Sequence, residues 1–276
     1  MADFYLRQDF ARRETAQLGS ARDLLHWAED ICRRAPAADV YREKEGRITV
    51  RVQFGHGEYF VKLHRGIGWA EIAGNLLRGR LPVLGAGDEY RALRTLQRTE
   101  VSTPRIAAYA QLGGNPARRR SVIVTDSLVD TQSLEDFCVG WRQSPPGPLA
   151  KMQLIRAVAE LARALHGAGV NHRDFYLCHI HLRQPAAPAA RPDLVLIDLH
   201  RAQVRHRVPG RWRVKDLAGL YFSAMDLDLG PRDLLRFLRH YTPGGLRAAL
   251  GQQTLWRSVE RRARAMHRRA ARGRAA

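Results

Sequence analysis

Three side chains that can take up a proton or bind a cation follow one another in the second half of the chain. Asp174 ends a His-Arg-Asp triplet, His179 comes five residues later, and Asp198 ends a short apolar run about twenty residues after His179. One carboxylate can orient a hydroxyl group and accept its proton, while a second carboxylate with a further ligand can hold Mg²⁺ against phosphate oxygens. This order and spacing are typical of phosphoryl transfer. We therefore predict Asp174 as the general base, with Asp198 and His179 as metal ligands.

A lysine in the first half of the chain has the position of a phosphate ligand. Lys62 lies in an alternating run at residues 59–63, which we expect to be the third strand of an antiparallel meander. Kinases place a phosphate-binding lysine on such a strand and fix it with a carboxylate. Glu89, near the start of a predicted helix, is the best partner, although the 27-residue spacing implies an insertion at residues 66–87. The alternatives are a solvated lysine and an acid that only favours the helix dipole.

Two further segments are candidates for nucleotide binding. Gly46 is the one glycine of a reduced glycine-rich turn, and the basic residues beside it are candidates for phosphate contact. The apolar run at residues 121–125 is expected to be an interlobe strand. The backbone groups that follow it, from Asp126 to Leu128, are expected to bind the edge of adenine.

Hydrophobic periodicity predicts the elements that position these residues. The predicted strands are residues 40–41, 48–54, 59–63, 105–111, 121–125 and 194–197, and the predicted helices are residues 20–34, 69–78, 88–97, 150–166, 215–225 and 232–241, with a solvated basic helix at 257–276. The first half of the chain mixes predicted strands and helices, whereas helical patterning dominates the second half, as expected of an α+β fold. We expect an antiparallel-sheet lobe at residues 1–125 and a mainly helical lobe at residues 126–276.

Composition narrows the class of partner and compartment. The chain has 46 Lys and Arg against 27 Asp and Glu among 276 residues, a formal charge of +19, so its partners are expected to be anionic. Three cysteines at wide spacings fit a reduced compartment, and the chain has neither a signal-peptide pattern nor an apolar stretch of membrane-spanning length. These features predict a cytoplasmic location. Nucleic acid is not expected as a partner, because no recognised nucleic-acid module is present.

Five segments together resemble one enzyme family. They are YFVKLHRG at 59–66, LPVLGAGDEYRAL at 81–93, GVNHRDFYLCHIHL at 169–182, IDLHRAQ at 197–203 and KDLAGLYFS at 215–223. In this order they resemble the lipopolysaccharide core heptose(I) kinases, and the match extends from about residue 5 to 260. The resemblance implies a bilobal protein-kinase-like fold with ATP between the lobes. It also implies Mg²⁺ as cofactor and phosphorylation of the first heptose of the inner core at its 4-hydroxyl.

Two departures from the general kinase pattern affect the site. His179 stands where an Asn normally ends the catalytic loop, so it either binds the metal or only orients the loop. Asp198, Leu199 and His200 replace the Asp-Phe-Gly triplet, so the sequence does not support an activation-loop switch. Asp216 resembles the buried helix Asp that fixes the catalytic loop, and we assign it a scaffold role.

The resemblance also indicates partners and leaves alternatives open. The expected acceptor is a lipopolysaccharide core glycolipid. The charge, with an apolar stripe at Trp69, Ile72, Leu76 and Leu77, predicts peripheral attachment to the anionic cytoplasmic face of the inner membrane. An acidic protein such as acyl carrier protein is a further expected partner. Another core sugar or a protein tyrosine is an alternative acceptor, and a basic binding or scaffold protein is an alternative class. Competition between glycolipid and protein acceptors, and filter binding at about 150 mM salt, separate them.

Overall fold

The computed structural model describes residues 3–13, 18–44, 46–54, 57–79, 81–184 and 191–275. The chain forms two compact units, one of Met1–Leu93 with Pro104–Val129 and one of Arg94–Thr103 with Asp130–Ala276. The first unit thus extends to Val129, four residues beyond the predicted boundary, and residues 94–103 cluster with the second unit.

A six-stranded antiparallel sheet is the framework of the first unit. Its elements in chain order are β1 (Asp3–Leu6), α1 (Gln8–Arg13), α2 (Ala21–Arg34), β2 (Val40–Lys44), β3 (Arg47–Phe54), β4 (Gly57–His64), α3 (Gly68–Leu77), α4 (Gly87–Leu96), β5 (Ile106–Leu112) and β6 (Arg120–Asp126). The strand order is β1-β5-β6-β4-β3-β2. The predicted meander of β2, β3 and β4 is present, and β4 is an inner strand between β3 and β6.

Helix α2 packs its apolar side against the sheet. Ser20 caps the helix by accepting the Asp23 N–H, and Leu24 and Leu25 are fully buried. The ring of Phe10 meets Trp27 edge-on within the same core. This apolar layer buries one face of the sheet. Burial of these apolar side chains stabilises the first unit through the hydrophobic effect.

The N-terminal residues contain structure that periodicity does not reveal. Strand β1 pairs with β5 at the edge of the sheet, and Arg7, directly after it, donates from its two terminal nitrogens to Asp126 at 2.8 and 2.9 Å. Four residues are too few to show a period of two. The pairing partner is also about a hundred residues away, so only the folded chain shows it.

The second unit is mostly helical with two small sheets. Its elements are β7 (Thr131–Ser133), α5 (Leu134–Phe137), α6 (Pro148–Gly167), β8 (Val170–Asn171), β9 (Ile180–Arg183), β10 (Leu194–Leu196), β11 (Gln203–Val204), α7 (Gly210–Ala224), α8 (Pro231–Tyr241), α9 (Gly245–Leu250) and α10 (Gln253–Ala275). The strand orders are β10-β9-β7 and β11-β8. With the sheet of the first unit, this arrangement confirms the predicted α+β class.

Helix α6 forms the centre of the second unit. The four residues that the pattern places on one face are all buried, namely Leu154, Val158, Leu161 and Leu165. Helix α7 begins at Gly210, five residues before the predicted start. The pattern did not reveal the first turn, because that turn follows Pro209 and is cationic, without apolar periodicity. Within the described ranges, no helix is both long enough and apolar enough to cross a bilayer.

Gly169 lies where the backbone of β8 meets that of β11. Its φ is +75°, and a Cβ built there would come within 1.9 Å of the Arg205 carbonyl oxygen. We expect Gly169→Ala to lower the free energy of unfolding by at least about 2 kcal/mol, because it adds left-handed strain and a backbone clash. The urea midpoint measures this loss.

Gly167→Ala is the matched control for that substitution. Gly167 is the last residue of α6, and nothing lies within 4 Å of a Cβ built there. Alanine is the better helix former, so this variant should be at least as stable as the native chain. Equal midpoints for the two variants would contradict the role given to Gly169.

Candidate active site

The loop that carries Asp174 is held by a buried carboxylate on helix α7. Asp216 is fully buried and accepts the backbone N–H groups of His172 at 2.7 Å and Arg173 at 2.8 Å. His166 on α6 lies 3.3 Å from the same carboxylate. A charged acceptor shared by two backbone donors fixes the peptide planes on both sides of the turn. The scaffold role predicted for Asp216 is confirmed.

His172 connects this loop to the chain segment of Asp198. Its Nε2 donates to the carbonyl of Ile197 at 2.9 Å, and burial lowers its pKa, so the ring is neutral at physiological pH. Arg173 and Asp198 both have positive φ, at 73° and 59°, which is unusual for residues with a side chain. These backbone conformations persist because the surrounding hydrogen bonds determine them.

Asp174 has a cationic partner that the motif does not indicate. Nη1 of Arg201 donates to both carboxylate oxygens of Asp174, at 3.0 and 3.1 Å. Arg201 closes the short turn after Asp198, so this contact joins the segments of the two acids. The Arg201 guanidinium therefore restricts the rotation of the Asp174 carboxylate.

His179 lies between the two acids. Its Nδ1 donates to the backbone carbonyl of Asp174 at 2.7 Å, and its Nε2 is 3.6 Å from Oδ2 of Asp198. Burial lowers the pKa of His179, but contacts with Cys178, the Asp174 carbonyl and Asp198 outweigh burial and raise it to about 9. Because Nδ1 is occupied by a carbonyl and Nε2 faces the Asp198 carboxylate, the observed contacts of His179 are those of a residue that orients the loop. Its role as a metal ligand stays a prediction.

The Asp198 carboxylate is the hard oxygen donor of the site. Its Oδ1 accepts from Nδ1 of His200 at 2.5 Å, and the side chain is partly exposed. Among the described residues, no group of three or more His, Cys, Asp and Glu side chains can hold a metal ion. Mg²⁺ in nucleotide sites typically takes one or two carboxylates together with phosphate oxygens. The donor set fits Mg²⁺ in that way.

Lys62 and Glu89 form a buried ion pair within the first unit. Lys62 Nζ lies 2.5 Å from Oε1 of Glu89, with the lysine side chain 14% exposed and the glutamate 3% exposed. Strand β4 and helix α4 supply the two residues, and the predicted pairing is present. Glu89 Oε2 is buried without a hydrogen bond among the described residues. An ammonium has three donors, so Lys62 keeps donors for phosphate oxygens.

The remaining nucleotide-binding candidates also belong to the first unit. Gly46 has a φ of +69° between β2 and β3, as its turn requires, and Glu45 of the same segment lies outside the described residues. The N–H groups of Asp126 and Ser127 donate to the carbonyls of Arg105 and Glu58. Because these two N–H groups are already paired, the Asp126 carbonyl and the Leu128 N–H are the candidate partners for the edge of adenine. Both roles stay predictions.

Arg201 and His200 are the site residues that sequence reasoning missed. Both follow Asp198 within three positions, and both contact a carboxylate of the site. Basic residues are frequent in this chain, so their type alone did not distinguish them. The one available signal was their position in the sequence directly after Asp198, the predicted metal ligand.

Comparisons with known proteins show the family of the chain. Residues 33–241 match the profile of the lipopolysaccharide kinase (Kdo/WaaP) family. The lipopolysaccharide core heptose(I) kinase WaaP of Pseudomonas aeruginosa PAO1 is 50% identical over 233 residues, covering 83% of this chain and 87% of that enzyme. The Escherichia coli enzyme of the same name is 45% identical over 216 residues, covering 78% and 82%. A solved structure of WaaP in complex with acyl carrier protein is 40% identical with a TM-score of 0.78, covering 96% of this chain and 99% of that one.

Asp216→Asn tests the support of the catalytic loop. The amide keeps one oxygen acceptor but turns an NH₂ group toward the second backbone N–H, which is then buried without an acceptor. We expect a loss of about 1–3 kcal/mol in the free energy of unfolding, measured by urea denaturation. Asp226→Asn, at an exposed position shortly after α7, is the control and should leave the midpoint unchanged. An unchanged urea midpoint for both variants would show that Asp216 does not support this loop.

Proposed function

The chain belongs to the lipopolysaccharide kinase (Kdo/WaaP) family, and we propose that it transfers the γ-phosphoryl group of ATP to the 4-hydroxyl of the first heptose of the lipopolysaccharide inner core. Its enzyme class is that of a kinase with an alcohol group as acceptor. The observation that carries the proposal is the joining of Asp174 to Asp198 by Arg201 and His179, in a chain half identical to a heptose(I) kinase.

Each site residue has a role in this reaction. Asp174 orients the heptose hydroxyl and accepts its proton, while Arg201 acts as a positioning residue by holding the carboxylate. Lys62, fixed by Glu89, contacts nucleotide phosphates, and Asp198 binds Mg²⁺. When bound, Mg²⁺ neutralises charge on the phosphate oxygens. Gly46 and the backbone of Asp126 and Leu128 bind other parts of the nucleotide.

Asp174→Asn is the direct test. An amide can still hold the hydroxyl, but it cannot take up the proton, so we expect kcat to fall by roughly 10² to 10⁴. The assay supplies ATP, Mg²⁺ and inner-core glycolipid without phosphate on the first heptose, and mass spectrometry locates the phosphate that is gained. Circular dichroism should show native secondary structure in the variant.

Asp193→Asn is the control for charge. Asp193 lies before β10 and pairs with Arg183 at the surface, so this variant should turn over normally. Near-normal turnover of the Asp174 variant would contradict the base role. Phosphate on another core sugar or on a protein tyrosine, with none on the first heptose, would favour the alternative acceptors.

We also propose peripheral attachment to an anionic membrane from the cytoplasmic side. Helix α3, within the predicted insertion, exposes Trp69 by 60% and Leu77 by 89%, with Leu76 also exposed. Ile72 is buried, so the apolar stripe consists of these three side chains without it. Apolar side chains and a net charge of +19 together suit an anionic lipid surface.

The paired substitution Trp69→Ser and Leu77→Ser tests this attachment. Each serine removes apolar area without altering charge, so binding to vesicles of anionic phospholipid should weaken by roughly tenfold or more. Co-sedimentation at low salt measures the change. Val139→Ser alters an exposed valine of the second unit and should have no effect. Unchanged sedimentation of the double variant would exclude α3 from the membrane contact.

Acyl carrier protein is the protein partner we propose. WaaP has been solved with this carrier, and an acidic protein suits a chain with a charge of +19. The second unit also contains an apolar cavity of about 590 Å³, lined among others by Leu134, Trp141, Leu154, Val158, Leu220 and Trp256. A cavity with this lining suits an acyl chain, which an acyl carrier protein can supply.

A further inference from the structure

Four cationic side chains surround one indole ring in the second unit. The guanidinium carbons of Arg173, Arg205 and Arg211 lie 5.5, 5.7 and 5.4 Å from the ring centroid of Trp212, and Lys215 Nζ lies 5.7 Å from it. We refer to these five residues as the Trp212 cluster. The ring faces favour cations, but four positive charges around a single ring repel one another.

The Trp212 cluster adjoins the catalytic loop. Arg173 is the residue before Asp174, and Arg205 donates to the side-chain oxygen of Asn171 at 2.6 Å. Lys215 lies on the first turns of α7, next to Asp216. The Lys215 ammonium is also close enough to the Asp174 carboxylate to interact with it electrostatically. An anion bound here would therefore lie near the carboxylate that receives the acceptor hydroxyl.

The two carboxylates near the cluster already accept hydrogen bonds from other groups. Asp174 accepts from Arg201, and Asp216 accepts two backbone N–H groups. Burial lowers the pKa of Lys215 to about 8, with Arg173 and Arg201 acting in the same direction and the two acids opposing them. A positive potential of this kind favours binding of an anion from outside the chain.

We propose that the Trp212 cluster binds an anionic group of the acceptor, carried close to the hydroxyl that is phosphorylated. The proposal rests on the proposed function and adds a determinant of acceptor specificity. Lipopolysaccharide carries two kinds of such groups, carboxylates on acidic sugars and phosphates, and both present oxygens that guanidinium and ammonium groups bind. A neutral sugar without a neighbouring anion would lack this contact.

The members of the cluster differ in what they contribute. Arg205 is occupied by Asn171 and Gln203, so it supports the loop. Arg211 is exposed, and Lys215 is partly exposed, so their charged ends are accessible to a ligand. The test therefore uses Arg211→Gln and Lys215→Met, each of which removes one charge. Arg211→Gln keeps the test valid if Lys215→Met fails to fold, because Arg211 lies on the surface.

The first measurement compares kinetic constants for the acceptor and for ATP. Loss of a charge-assisted contact should raise the acceptor KM by roughly tenfold for each variant, with kcat changed less than threefold and the ATP KM unchanged. Arg232→Gln removes a charge at an exposed position of α8 and should leave all three constants unchanged. Equal acceptor KM values in the native chain and both variants would overturn the proposal, as would a fall in kcat alone.

The second measurement changes the acceptor. Inner-core glycolipid without phosphate on the first heptose is tested in three forms. The first is otherwise unmodified, the second has its remaining phosphates removed, and the third has its sugar carboxylates converted to methyl esters. The difference between native and variant enzymes should vanish with one modified acceptor, and that acceptor identifies the source of the anion. A difference of the same size with all three acceptors would show a structural role and overturn the proposal.

Binding without turnover separates this inference from the proposed function. The fluorescently labelled glycolipid in detergent micelles, with no ATP present, should bind Arg211→Gln roughly tenfold more weakly than the native chain. If the native chain transfers no phosphate, the proposed function fails, and this binding result still decides the role of the cluster. Equal binding to native and variant chains would refute it.

Discussion

The Asp216 carboxylate is buried away from water, and a buried carboxylate is stable only where hydrogen-bond donors surround it. The donors are the N–H groups of His172 and Arg173, so the position of one side chain on α7 determines the shape of the loop before Asp174. The strained backbone at Arg173 follows from this attachment. The direction of the Asp174 carboxylate, and hence the base role proposed for it, depends on the same two hydrogen bonds.

The segments of Asp174 and Asp198 are joined by three separate contacts. His172 fixes the strand end before Asp198, Arg201 reaches back to Asp174, and His179 lies between them. Burial lowers the pKa of His172, whereas contacts with Cys178, the Asp174 carbonyl and Asp198 outweigh burial and raise the pKa of His179. This network leaves the Asp174 and Asp198 carboxylates little freedom of movement, which suits the base and metal-ligand roles proposed for them, because positioning is the main contribution a protein makes to phosphoryl transfer.

The first unit shows the same constraint in a simpler form. Glu89 is nearly inaccessible to solvent, and Lys62 compensates its charge. The 26 residues between the members of this pair contain α3 and the loop that follows it. That insertion also exposes Trp69 and Leu77. One segment therefore accounts for an unusual spacing and for an apolar surface.

Local pattern was sufficient for most of the fold. The periodicity of the longer helices and the alternation of β2, β3 and β4 follow from side-chain burial, which is a property of each segment. The Lys62–Glu89 pair was predictable from the arrangement that kinases use, once these segments were placed. The sequence by itself therefore determined the longer helices, the central strands of the first sheet and the α+β class. Only tertiary structure decided that β1 pairs with β5, that Arg201 contacts Asp174 and that cations gather around Trp212. Those contacts join residues by position in space, and in a chain with so many arginines no local pattern distinguishes the arginine that reaches a carboxylate from one that only meets water.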